Sequence, residues 1–344
     1  MKKDRNIEGS ENKAHGRIGV KRIISTLLIT VIAVMVLVIG FLFVAPLTET
    51  HNGTAVEGSE SWMSRIGDDV PISEITLPGT HDSGSEWAML AFFTKCQSSG
   101  IRTQLDEGYR YLDIRLGNED GSRLSLWHGF CRCRKGFMPW DETLYLEDVL
   151  ADCYAFLEAN PTETVVFCVK QEHGDDLEEM QRILNGKIGE RPEMWCLSGS
   201  IPALGECRGK IVLLRRYDDV LGLGDDAGIY VGWEDQGGRG EILDAVTEEK
   251  DGFTLVIQDR YKYTADEKWI AFLKGLAVSG GDGALRIHFL STNGEQKFGH
   301  PFSYAKILNN RLLETDPAQY AKSWIIVDFS DAPTAAHIYG SNFK

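Results

Sequence analysis

Eight short apolar runs recur between residues 61 and 344, and most of them stop at a charged residue or a histidine. They are ISEITLPGTHD (72–82), YLDIRL (111–116), LSLWHG (124–129), TVVFCVKQE (164–172), KIVLLRRY (210–217), FTLVIQDRY (253–261), ALRIHFLS (284–291) and SWIIVDF (323–329). Runs of this length, rich in β-branched and aromatic residues, read as strands. Helix-like segments lie between several of them: LEDVLADCYAFLEAN, stopped by Pro161, then DDLEEMQRILNG, DEKWIAFLKGLAV and SYAKILNNRLLET. That alternation predicts a mainly parallel sheet covered by helices. Eight such strands in roughly 284 residues predict one α/β domain, a (β/α)8-type, TIM-like barrel, irregular where its connections are loop-like. No internal repeat is visible.

The ends of the runs carry the functional signal. His81 and Asp82, Arg115, His128, Lys170 and Glu172, Arg216, Asp259 and Asp328 all fall at or just beyond the last apolar residue. In a barrel of this kind the C-terminal strand ends converge on one mouth, where such folds build their sites. Singly, each of these residues is an ordinary solvated loop residue. Together they place two histidines, several cations and several carboxylates on one rim.

Ahead of the barrel, residues 23–45 (IISTLLITVIAVMVLVIGFLFVA) run for 23 positions without a charge. A signal-peptide core is usually about 7–15 residues and a membrane-spanning helix needs about 20, so a retained anchor is expected, with a cleaved leader and a secreted enzyme as the alternative. Residues 1–22 carry seven Lys/Arg against three acids, which keeps that tail cytoplasmic and the rest of the chain outside. Residues 46–60, polar and without apolar period, read as a linker. Setting the tail's +4 against the chain's −15 leaves −19 for the remainder, which argues against nucleic acid and against simple adhesion to anionic lipid.

Seven cysteines (96, 131, 133, 153, 168, 196, 207) lie in this exported part, where disulfides are permitted, and their odd number leaves at least one unpaired. The CRC at 131–133 lacks the second pair of a zinc site. There is no His-x-His, no His-Glu-x-x-His, no acidic cluster spaced for Ca²⁺, and no Gly-x-Ser-x-Gly elbow. What remains is chemistry that two histidines can run as general base and general acid near neutral pH, with carboxylates orienting them. An arginine among them suits negative charge building on a phosphoryl group. Phosphodiester cleavage uses that whole set.

At this level of detail, LPGTHDSG, YLDIRL, LWHG, VKQE, KIVLLRRY, VIQDRY and WIIVDF, in that order along residues 61–344, resemble the bacterial phosphatidylinositol-specific phospholipase C family. The resemblance implies roles. His81 is the general base that takes the inositol 2-hydroxyl proton, oriented by Asp328. His128 is the general acid that protonates the diacylglycerol oxygen, with Asp82 as its carboxylate. Arg115 holds the phosphoryl oxygens; animal relatives place Ca²⁺ there, so Arg115 implies the metal-independent branch and no cofactor. Lys170, Glu172, Arg216 and Asp259 bind inositol hydroxyls, and Tyr261 lies beneath the ring. The implied partner is an inositol phospholipid in a membrane, the chain acting as a monomer and without nucleic acid. Its product is inositol 1,2-cyclic phosphate, with slow hydrolysis to inositol 1-phosphate following. Whether the natural substrate is free phosphatidylinositol or a glycosylated inositol lipid is left open.

Two departures stand out. Secreted members carry tryptophans on the rim; here TNGEQKFGHPF offers Phe298 and EWAMLAFFTKC offers Trp87, Leu90, Phe92 and Phe93. The stretch CRCRKGFMPW (131–140) has no counterpart among the matching motifs. A glycerophosphodiester-type barrel enzyme is disfavoured because THDSG does not supply its early His-Arg-Gly. A non-catalytic inositol- or glycan-binding module is disfavoured because both histidines are present.

Overall fold

The computed structural model describes residues 5–49, 53–118, 121–138, 140–238, 245–295 and 299–344. It falls into two compact units, Met1–Thr48 and Glu49–Lys344. The first is built on helix α1 (Arg5–Ile39), and the stretch Val20–Thr48 is long and apolar enough to cross a membrane; a signal sequence meets the same criterion.

In the second unit the sheet contains twelve strands among the described residues. They are β1 (Leu77–Thr80), β2 (Tyr111–Asn118), β3 (Leu124–His128), β4 (Cys131–Arg132), β5 (Val165–His173), β6 (Trp195–Cys196), β7 (Ile211–Arg215), β8 (Ile229–Tyr230), β9 (Val246–Lys250), β10 (Phe253–Gln258), β11 (Leu285–Phe289) and β12 (Trp324–Val327). The main order is β6-β7-β5-β2-β1-β12-β11-β10-β9, parallel throughout except at β9. Helices α2 (Ala91–Thr94), α3 (Ile101–Asp106), α4 (Leu146–Ala159), α5 (Leu177–Glu190), α6 (Leu204–Cys207), α7 (Ala265–Leu276), α8 (Pro301–Glu314) and α9 (Ala332–Tyr339) complete the unit.

All eight apolar runs contain a strand, but LSLWHG is not a barrel stave. It is β3, antiparallel to β2, with β4 folded back on it. The reason is length: a parallel return needs a crossover of about a dozen residues, and only 119–123 separate β2 from β3. The first run also shortens to β1, because the 3₁₀ turn Ile72–Glu74, preceded by Pro71, occupies its start. Curling is incomplete. β8 pairs only with the end of β7, and among the described residues no ladder joins it to β10. Side chains bridge the gap instead: Gln236 Oε1 accepts from the Asp259 amide at 2.9 Å, and Trp233 Nε1 donates to Asp259 at 3.1 Å.

Strand alternation sorts the core. Along β2, Leu112, Ile114 and Leu116 pack outward with Val149, Leu150 and Phe156 of α4 and Met180 and Leu184 of α5. Tyr111, Asp113 and Arg115 therefore point the other way, into the barrel. Tyr111, Phe289 and Trp324 form its aromatic floor. Gly79 of LPGTHD is needed because a Cβ there would collide with Ile326 and Tyr111 of the lining. None of the seven cysteines is paired; six are buried as small apolar fillers and Cys196 is half-buried.

Candidate active site

Register brings the two halves of the site together. Thr80 of β1 pairs with Val327 of β12, so the residues that follow, His81 and Asp328, emerge side by side at the C-terminal mouth. Arg115 of β2 pairs with Lys170 of β5, and the Arg216 amide donates to Val169 O at 2.8 Å, which sets Arg216 beside Lys170. An open cavity of about 280 Å³ lies over these ends. Its lining includes His81, Arg115, His128, Lys170, Glu172, Arg216, Asp259, Tyr261 and Asp328. Asp82 alone of the ten expected residues sits beneath the lining, buried. Asp82 and Phe329, each following one of the paired residues, adopt left-handed backbone (φ 45° and 50°), strain of the kind that concentrates at functional sites.

His81 is held at both nitrogens. Nδ1 is 2.7 Å from Asp328 Oδ1, and Nε2 is 2.8 Å from Arg115 Nη2. A guanidinium only donates, so Nε2 carries the lone pair and the ring proton sits on Nδ1, facing Asp328. Burial draws the imidazole's pKa down and the Asp328 charge draws it up; the carboxylate prevails over burial and Arg115, and the net shift is upward. Across the cavity the His128 ring lies 6.1 Å from that of His81, centroid to centroid. Its Nδ1 donates to the Thr94 carbonyl at 2.7 Å, which fixes the ring and leaves Nε2 as its second nitrogen. Asp82 Oδ2 stands 3.6 Å from that Nδ1, beyond hydrogen-bond reach, so the nearest orienting group is a backbone carbonyl that no sequence motif marks.

Arg115 is ringed by acids. Nε donates to Asp113 Oδ2 at 3.1 Å, and Nη1 lies 3.5 Å from Glu172 and 3.6 Å from Asp82. Burial alone would raise the Asp113 carboxyl, but Arg115 and Arg216 hold it well below the usual range. In Glu172 burial is likewise outweighed by Arg115 and Lys170, which bring the pKa down to about 2. The remaining groups form a polar wall. Lys170 Nζ contacts Glu172 at 2.6 Å, Arg216 lies 3.6 Å from Asp259 and stacks on Trp233, and Tyr261 donates to Asp235 at 2.6 Å. Trp233 and Asp235 belong to the loop before β9, whose sequence has no period to flag it. Asp113 was legible as the inward neighbour two residues before Arg115.

At the rim, Trp87, Leu90, Phe92 and Phe93 are only partly exposed, and Phe92 stacks on His300. Phe298 lies outside the described residues. Among the described residues, the apolar side chains that do project there are Met89, Phe130 (63 %), Met138 (42 %) and Trp140 (78 %). Three of these belong to the extension of the β3–β4 hairpin that holds CRCRKGFMPW. The Met89 amide donates to Arg132 O at 3.3 Å, which joins the two segments, and Phe130 lines the cavity.

Comparison with known proteins gives one picture. Residues 80–217 match the family model of the phosphatidylinositol-specific phospholipase C, X domain. The chain is similar to a Staphylococcus aureus protein named 1-phosphatidylinositol phosphodiesterase, with 28 % identity over 333 residues, 90 % of this chain and 94 % of that protein. A crystal structure of phosphatidylinositol-specific phospholipase C from Staphylococcus aureus superposes with a TM-score of 0.68 at 26 % identity, covering 83 % of this chain and 98 % of that one. The Listeria monocytogenes enzyme of the same name shares the fold, with a TM-score of 0.62 at 21 % identity.

Proposed function

We propose that the chain, which matches the phosphatidylinositol-specific phospholipase C X domain over residues 80–217, is a member of the bacterial phosphatidylinositol-specific phospholipase C family and cleaves phosphatidylinositol to diacylglycerol and inositol 1,2-cyclic phosphate. One observation carries the reading: His81 presents a lone pair on Nε2, braced by Asp328 and touching Arg115, with His128 facing it across the cavity. Nε2 of His81 takes the proton of the inositol 2-hydroxyl as that oxygen attacks the adjacent phosphorus. Arg115 turns from the newly protonated ring to the phosphoryl oxygens, on which negative charge collects. His128 gives a proton to the departing diacylglycerol oxygen. Water can then enter in place of that leaving group, with the histidines exchanging roles, to yield inositol 1-phosphate.

In this reading Arg115 supplies the positive charge and catalysis requires no divalent cation. Lys170, Glu172, Arg216 and Asp259 bind the inositol hydroxyls by charge-assisted hydrogen bonds, and Tyr261 covers the ring's apolar face. Residues 1–22 form a cytoplasmic tail, 23–45 an anchor, 46–60 a linker and 61–344 an extracytoplasmic, monomeric barrel. Phe130, Met138 and Trp140 dip into the bilayer beside the cleft, and that gives CRCRKGFMPW a purpose. The reading is tested by incubating the full chain with vesicles of phosphatidylinositol and, separately, of phosphatidylcholine. Diacylglycerol is expected from the first alone. Equal release from both, or from neither, overturns it.

A further inference from the structure

Cys96 takes no part in the proton transfers just described, yet it borders the same cavity. Its side chain borders the cavity, 1 % exposed, with Sγ 3.7 Å from His128 Nδ1. One ligand atom each from His81, Cys96 and Asp328 falls within 4.8 Å of the others. The backbone holds this cluster together: the Phe329 amide donates to Cys96 O at 2.6 Å, and Gln97 Nε2 bonds both His81 O and Val327 O. We propose that His81, Cys96 and Asp328 form a site for a thiophilic divalent cation, Zn²⁺ above all, and that its occupancy switches the enzyme off.

The donor set selects the ion. One nitrogen, one thiolate sulfur and one carboxylate oxygen suit Zn²⁺, whereas Ca²⁺ and Mg²⁺ prefer oxygen alone. Bond lengths of about 2.0–2.3 Å place tetrahedral ligands about 3.5 Å apart. The widest pair therefore closes by little more than 1 Å, within the reach of side-chain rotation. Three protein ligands leave the fourth position to water on the cavity side, and the cavity is the entry path. Binding releases the Cys96 thiol proton to solvent. The nearby Arg115 charge opposes the cation, but the carboxylates of Asp82, Asp113 and Glu172 that surround the guanidinium offset it.

Inhibition follows from the imidazole. If the metal takes Nδ1, the ring proton moves to Nε2, the atom that must accept from the substrate; if it takes Nε2, the lone pair is used directly. Either way His81 ceases to be a base. This part rests on the proposed function, whereas binding itself does not. An enzyme that needs no metal would thus be stopped by one, and chelators would leave it active.

The test uses the full chain with Co²⁺ as a spectroscopic stand-in and ZnCl₂ as inhibitor. Wild type is expected to show a thiolate-to-cobalt charge-transfer band at one ion per chain, displaced by Zn²⁺ and unaffected by Ca²⁺. Cys96→Ser should lose that band, bind Zn²⁺ at least about tenfold more weakly, and keep its basal turnover while escaping zinc inhibition. Cys131→Ser should keep the band. Absence of the band in wild type, or its survival in Cys96→Ser, overturns the site. A cobalt band lost in Cys96→Ser with equal zinc inhibition of both proteins overturns the switch.

Discussion

Replacing Arg115 by lysine keeps the charge and removes the geometry. The guanidinium reaches His81, Asp113, Glu172 and Asp82 from one plane, at 2.8, 3.1, 3.5 and 3.6 Å. An ammonium is a point charge that cannot face all four, and the pull of ionised Asp113 beneath it draws it away from His81 Nε2 and from the incoming phosphoryl group. Two things are then lost: the donor that fixes the His81 tautomer in the resting site, and the pair of parallel hydrogen bonds to the phosphoryl oxygens. Removing one preorganised contact of this type costs about 10²–10³ in turnover, and Arg115→Lys should fall in or beyond that range. The loss should appear in kcat for vesicular phosphatidylinositol. It should persist with a soluble inositol phosphodiester bearing an activated leaving group, because charge develops on phosphorus whatever departs. Initial rates with both substrates, alongside circular dichroism, decide the matter. Turnover within about threefold of wild type in a natively folded variant would refute the role given to Arg115.

The pH dependence has a definite sign. His81 must be unprotonated to accept the 2-hydroxyl proton, and its raised pKa places the acidic limb of kcat/KM above the ordinary histidine value of about 6.5. Asp328→Asn removes the chief upward influence and leaves burial and Arg115, both downward and each larger than the upward pull of Asp113, so the limb should move to lower pH while the plateau falls by about 10²–10⁴; an unmoved limb contradicts the assignment. Tyr261→Ala and Asp259→Asn should raise KM for a soluble inositol phosphodiester by about two- to tenfold with kcat nearly kept, and a loss confined to kcat would remove them from the binding wall. Trp140→Ser should weaken sedimentation with phosphatidylinositol vesicles by about ten- to a hundredfold and leave turnover of the soluble substrate unchanged; equal vesicle binding would discard the hairpin as a membrane contact.

Much of this architecture was legible because barrel strands advertise themselves twice, by apolar content and by the polar residue at which each stops. Residues on regular strands or one step beyond them, such as His81, Arg115 and Asp328, follow directly from register. The less legible parts come from irregular backbone. Thr94 reaches His128 through a carbonyl, to which any residue type could contribute. Cys96 enters the cavity from the segment after a four-residue helix, and Trp233 and Asp235 lie on a loop that bridges an unpaired gap in the sheet. The antiparallel course of β3 was readable from the short interval after β2, a length constraint that outweighs the strand's resemblance to its neighbours. The exposed apolar rim escapes local pattern for a different reason: Phe92 finds a stacking partner in His300, while among the described residues Trp140 shows none, and contacts of that range do not show in local pattern.

The central claim, a histidine pair working with an arginine in place of a metal, is tested most directly by phosphorus NMR of phosphatidylinositol vesicles incubated with the full chain in excess EDTA. The account predicts that inositol 1,2-cyclic phosphate appears first and inositol 1-phosphate only slowly afterwards, with neither formed by His81→Ala. Activity abolished by EDTA and restored by Ca²⁺, or inositol 1-phosphate formed with no cyclic precursor, would contradict it.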